Sequence, residues 1–115
     1  MANTLKMVSK TGSSTAASTD LTVYTVPAAT TTIFLGFNIA NIITSDMKVT
    51  VKMTADSGGT NEDVSIAKNL PIPKESSIEI MAGNKMILNT GDAIKVQSDN
   101  TNAFDVLLSI VEIDV

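Results

Sequence analysis

The side chains best suited to chemistry in this chain are its carboxylates, because it contains neither His nor Cys. Without imidazole or thiolate, the commonest general base near neutral pH and the soft ligands of zinc sites are missing, and no disulfide framework is available. Two carboxylates held close together can act as acid and base, as in glycoside hydrolysis. Glu75, Glu79, Asp92 and Asp105 are the candidates, but nothing in their spacing brings two of them to one cleft. No catalytic residue is therefore assigned.

Residues 99–105, DNTNAFD, gather Asp99, Asn100, Asn102 and Asp105, which are hard oxygen donors of the kind that bind calcium. The segment lacks the glycine and the bidentate Glu of an EF-hand loop, so it reads as a solvated hairpin loop. Asn61, Glu62 and Asp63 read as a polar turn, and Asp92 as an acceptor for backbone amides in the turn at Gly91. With no glycine-rich phosphate loop either, neither a metal nor a cofactor is expected.

Charge and composition narrow the function classes further. The chain has 115 residues, the length of one domain, and a formal net charge of -4. All eight cations are Lys, and an acidic chain without Arg argues against a nucleic-acid partner. The longest mostly apolar run, residues 33–43, is interrupted by Gly36, Asn38 and Asn41 and falls short of the ~20 residues of a membrane helix. No membrane partner is expected. Aromatics are scarce: Tyr24, Phe34, Phe37 and Phe104 are all there are. A sugar-binding platform would have only Tyr24 to present.

The elements that must position these residues are strands. Abundant Thr, Val and Ile suit a pleated surface better than a helix. The clearest signal is MKVTVKMTA, in which Met47, Val49, Val51 and Met53 fall on one face and Lys48, Thr50, Lys52 and Thr54 on the other. Residues 4–9 alternate weakly and suit an edge strand or an arm laid on a neighbour, and residues 10–19 read as a flexible small-residue loop. Leu21, Val23 and Thr25 alternate with Thr22, Tyr24 and Val26 until Pro27 ends the ladder. Gly36 suggests a bulge or a close backbone approach in the strand that follows. After the polar turn beyond Ala55, residues 64–67 are the returning strand, and Pro71 and Pro73 mark an extended connection. Residues 77–81, 85–88, 93–97 and 104–113 complete the set, with Gly91 suited to a positive φ angle between two of them. Met47, Met53, Met81 and Met86 fit core packing.

Eight or nine short strands without a convincing helix predict an all-β, single-domain antiparallel β-sandwich or jelly-roll-like barrel. Residues 1–19 form an N-terminal strand or arm with a flexible loop, and residues 20–115 the sandwich domain. Residues 33–43 and 107–113 are apolar on both faces, more than so thin a domain covers by itself, so subunit contacts are expected to cover them.

Two blocks carry a family resemblance. YTVPAATT at residues 24–31, and LPIPKESSIEI followed by LNTGDAIKV at residues 88–96 and a terminal strand ending near Glu112, resemble small virion structural proteins of tailed bacteriophages. The chain departs from that pattern at Ala29, where Gly is common, and at Asn89, where a small residue is usual. The resemblance implies a non-enzymatic virion structural protein, in the leading version a capsid cement or decoration protein, assembled in the host cytoplasm. Its implied partners are copies of itself, as a trimer, and the major capsid protein or tail proteins. A tail, neck or fibre component is the alternative location, and a receptor- or carbohydrate-binding β-sandwich module the alternative class.

Overall fold

The computed structural model describes residues 3–12, 16–55, 62–81 and 85–114. Its strands, in chain order, are β1 (Asn3–Thr11), β2 (Leu21–Thr25), β3 (Thr30–Asn41), β4 (Met47–Ala55), β5 (Glu62–Ile72), β6 (Ser77–Glu79), β7 (Met86–Leu88), β8 (Ala93–Ser98) and β9 (Phe104–Asp114). No helix occurs among the described residues, and so none crosses a membrane. Sheet A runs β1-β9-β3-β6, with β7 also paired to β3, and sheet B runs β2-β8-β4-β5. All strand pairs are antiparallel. If β6 and β7 are taken as one interrupted strand, this is the alternating order of a jelly roll, as the strand count and turn spacing predict.

The core lies between the sheets. Phe34, Phe37 and Ile39 of β3 and Phe104, Leu108 and Ile110 of β9 meet Val49 and Val51 of β4 and Ile94 and Val96 of β8, all buried. Each set occupies alternate positions of its strand, as the pleat requires, except that Phe34 and Phe37 are three residues apart in β3. β3 and β9 pair along almost their full lengths, from Thr30 opposite Asp114 to Asn41 opposite Phe104. The register slips between Phe34 and Gly36, the bulge that Gly36 predicts. Buried Asn41 closes this end: its Nδ2 donates to the carbonyls of Ser45, Ile72 and Pro73, and its Oδ1 accepts from Ile43 N.

Several local readings change. The period-two reading of β2 fails because its register to β8 slips between Thr22 and Tyr24, which buries Val23 and Tyr24 together. β5 is longer than residues 64–67: it begins at Glu62 and runs through Pro71 to Ile72, so Glu62 and Asp63 are strand residues and Asn61 lies outside the described residues. Pro71 is accommodated because β5 is the edge of sheet B. Residues 4–9 belong to β1, an edge strand of the chain's own sheet A, and the loop reading of residues 10–19 falls partly on residues outside those described. The outer faces of β3 and β9 are uncovered within one chain, which leaves them to the subunit contacts expected from the sequence.

Two positions make the backbone testable. An added Cβ on Gly12 would lie 2.8 Å from the buried Phe104 ring, while Gly12 N donates to Phe104 O at 2.6 Å. Gly12→Ala is expected to lower stability by about 1–3 kcal/mol in urea denaturation, because the ring has nowhere to move. Ala29, where the resemblance favours Gly, has φ 53°. Ala in that left-handed region is strained by about 1–2 kcal/mol, partly offset by the chain entropy of a glycine. Ala29→Gly should therefore raise the urea midpoint, by up to about 1 kcal/mol of stability.

Candidate interaction surface

The carboxylates named as possible acid-base groups are each engaged in structure or isolated on the surface. The gap on β3 between its pairings with β6 and β7 leaves the backbone of Phe37, which lies opposite Leu108 of β9, without a strand partner on its other side. Glu79 fills it: its Oε2 accepts from Phe37 N at 2.6 Å and from Met81 N at 3.2 Å, while Ile80 N donates to Phe37 O. Buried Asp92 accepts from Asn89 N, the turn role read from its neighbours. Glu75 sits exposed at φ 57° in the turn between β5 and β6, and Asp105 is exposed on β9. Asp63 accepts from Thr54 Oγ1 across the β4–β5 pair.

In the loop after β8, Asp99 Oδ1 accepts from Lys48 N and Asn100 Nδ2, both at 2.9 Å, and Asn102 adopts φ 55°. The turn thus uses its own oxygen atoms to hold the hairpin. Among the described residues no group of three or more acidic side chains is gathered for a metal. A shallow depression of about 470 Å³ wraps the β1–β9 end, lined by Ser9, Lys10, Thr11, Asp105, Val106 and Leu107. All four aromatic rings are buried, so none is left as a sugar platform.

What the two sheets do present is a contrast between their outer faces. On sheet B the outward row is Lys48, Thr50, Lys52 and Thr54 of β4 beside Lys95 and Gln97 of β8, a polar surface in which Thr50 and Thr54 are themselves buried, while Val64 and Ile66 of the edge strand β5 are exposed. On sheet A the strand register aligns Leu5 of β1, Val111 of β9, Ile33 of β3 and Ile87 of β7 in one row across four strands, roughly 15 Å wide. Leu5 is 78%, Met7 66% and Ile87 64% exposed, and Leu35 in the bulge and Leu107 on β9 are exposed as well. Ile113 lies next to Val111 on the same outward side of β9, half-buried. The outward positions of β1, β9 and β3 carry one charge, Asp105 at one end, and β6 adds Glu79, which is tied to backbone amides. An apolar face of this extent is uncommon on a protein that has no partner.

A polar cluster, buried at Tyr24 and Thr32 and half-exposed at Lys6, links the inner side of sheet A to sheet B. On the inner side of sheet A, Glu112 of β9 lies opposite Thr32 of β3, with Lys6 of β1 nearby. Tyr24 of β2 reaches across from sheet B, its hydroxyl 2.5 Å from Glu112 Oε2 and 2.8 Å from Thr32 Oγ1. Lys6 Nζ is 3.5 Å from Glu112 Oε1. Burial, reinforced by the Glu112 carboxylate that accepts its hydrogen bond, pushes the Tyr24 hydroxyl up to about 12. Sequence reasoning did not find this cluster, because its four members come from four strands with no common spacing.

No protein-family model matches the chain, and a search of curated proteins finds no relative. Among solved structures, a chain from the disulfide-linked pili of Bacillus endospore appendages is similar over 99% of this chain and 88% of its own length, with 12% identity and a TM-score of 0.44. A chain of infectious bursal disease virus, Gx strain, is similar over 96% of this chain but 32% of its own length, with 9% identity and a TM-score of 0.46.

The Tyr24 cluster yields an alkaline signature. An unfolded chain releases the phenol proton near its ordinary value of 10.0, whereas the folded chain holds it to about 12. The unfolded state then binds fewer protons in that interval, so stability is intact below pH 10 and falls as pH rises toward 12. Tyr24→Phe is expected to flatten this alkaline loss in denaturation curves. At neutral pH the same substitution should cost about 1–3 kcal/mol, since Glu112 loses its buried donor.

Proposed function

We propose that this chain is a non-enzymatic structural subunit: a jelly-roll block that associates with copies of itself and adheres to an assembled protein surface through the outer face of sheet A. The observation that carries the reading is the uncharged row Leu5, Val111, Ile33 and Ile87, set against the Lys- and Thr-covered face of sheet B. Exposed apolar surface of this kind is removed from water at roughly 25 cal/mol per Å² when a partner covers it. A rigid block with one sticky face suits adhesion, in which many copies multiply contacts that are individually weak.

The residue patterns YTVPAATT and LNTGDAIKV support a finer version, a cement or decoration protein on the capsid of a tailed bacteriophage, with a tail, neck or fibre position as the second location. In that version the chain resides in the virion and meets the major capsid protein or tail proteins. The trimer implied by the same resemblance rests on it alone, and self-association is proposed here without a copy number. A carbohydrate-binding role is disfavoured because Tyr24, the one Tyr, is buried and hydrogen-bonded between the sheets.

Ile87→Lys tests the face, since the position is exposed and the fold does not depend on it. The intact chain should form assemblies in sedimentation equilibrium. In the variant, the larger assemblies should need at least about tenfold more protein, the penalty expected for a charge in an apolar contact. An unchanged far-ultraviolet circular dichroism spectrum confirms that folding is intact. A chain that stays monomeric at every accessible concentration would overturn the proposal.

A further inference from the structure

We infer that β1 is the pairing edge for a second copy of this chain, joined antiparallel to the same strand of that copy about a two-fold axis at Met7. This deepens the self-association reading and rests on it. The inference starts from how the sheet edges are protected. β2 is short and bulged, β6 and β7 have three residues each, and β5 carries register slips, Pro71 and a left-handed Asn69. These are the devices that blunt strand edges against pairing with another chain. β1 has none of these backbone devices: it runs nine residues in unbroken register with β9, without Pro, Gly or bulge, and its protection is the charge of Lys6 and Lys10.

The direction of its free groups follows from one hydrogen bond. Gly12 N donates to Phe104 O, directly beyond the Thr11–Asp105 pair, so the even-numbered residues of β1 are the ones that exchange hydrogen bonds with β9. The amides and carbonyls of Leu5, Met7 and Ser9 therefore point away from β9, along the open edge. A second β1 satisfies them when odd positions face odd positions.

Charge then selects among the registers of that kind. Centring on Lys6 sets Lys6 directly against its own copy, and centring on Val8 sets Lys6 against Lys10. Like charges directly opposite are destabilising. Centring on Met7 sets Lys6 against Val8 and Lys10 against Thr4, and it uses all three of the edge residues Leu5, Met7 and Ser9. Centring on Leu5 or Ser9 also avoids the clash, but leaves one end of the strand unpaired. In the Met7 register the side chain of Met7 meets Met7 of the second copy on the outer face, with Leu5 beside it, so the apolar faces of the two sheets become continuous across the seam. Lys6 remains with Glu112 on the inner side.

Met7 is exposed, so substitutions there test the edge without touching the core. The expected result in sedimentation equilibrium is a two-chain species for the intact chain and at least tenfold weaker dimerisation for Met7→Lys and for Met7→Glu alone, each with an unchanged urea midpoint. An equimolar mixture of the two variants should restore the dimer, because opposite charges then meet at the axis. Dimerisation of Met7→Lys as tight as that of the intact chain, or a mixture that stays monomeric, would overturn the pairing. If Ile87→Lys disperses every oligomer while Met7→Lys disperses none, the edge proposal fails and the apolar-face reading stands. A monomeric intact chain removes both.

Discussion

The pairing of β3 with β9 is the constraint on which the rest of the molecule depends. It joins Thr30–Asn41 to Phe104–Asp114 across most of the chain, and nothing else places the two most apolar segments side by side. Their inward residues supply the large side chains of sheet A's half of the core. Their outward residues then necessarily lie together too, because the period of a strand is two. One pairing thus creates both the core and the exposed face. The bulge at Leu35 and the break between β6 and β7 occur at the same point along β3, and Glu79 supplies there the acceptor that a continuous strand would have provided.

Buried polar groups fix how the two sheets sit. Tyr24 spans from sheet B to Glu112 and Thr32 in sheet A, and Lys6 brings β1 to the same carboxylate. At the other end Asn41 binds three carbonyls and one amide around the turn after β3. Such groups are costly to bury unless every partner is present, so they penalise any slip in register more sharply than apolar side chains do.

The unequal outer faces tie the fold to the proposed role. A jelly roll needs only its inner faces apolar, and β4 and β8 of sheet B follow that rule with Lys, Thr and Gln outside. Sheet A departs from it at Leu5, Ile33, Ile87 and Val111, where polar residues would serve a solitary chain equally well. Departures from a local rule without an internal benefit are expected at functional surfaces. On the proposed reading, the benefit lies in covering the face with another protein.

Much of this was legible without coordinates. Period-two alternation, β-branched composition and Gly, Pro and Asn at short intervals determined an all-β sandwich, the two sides of β4 and β9, and the bulge at Gly36. The excess of apolar residues at 33–43 and 107–113 was also visible, because it is a property of each segment alone. What the chain could not disclose is which strand lies beside which. The row Leu5, Val111, Ile33 and Ile87, the Tyr24–Glu112–Lys6 cluster and the open edge of β1 all consist of residues from strands distant in sequence. The slip within β2 that buries both Val23 and Tyr24 was hidden for a related reason, since a bulge is set by the partner strand β8. Local pattern follows from the pleat of a single strand, whereas faces, edges and polar clusters follow from register between strands, and register is decided only when the whole sandwich closes.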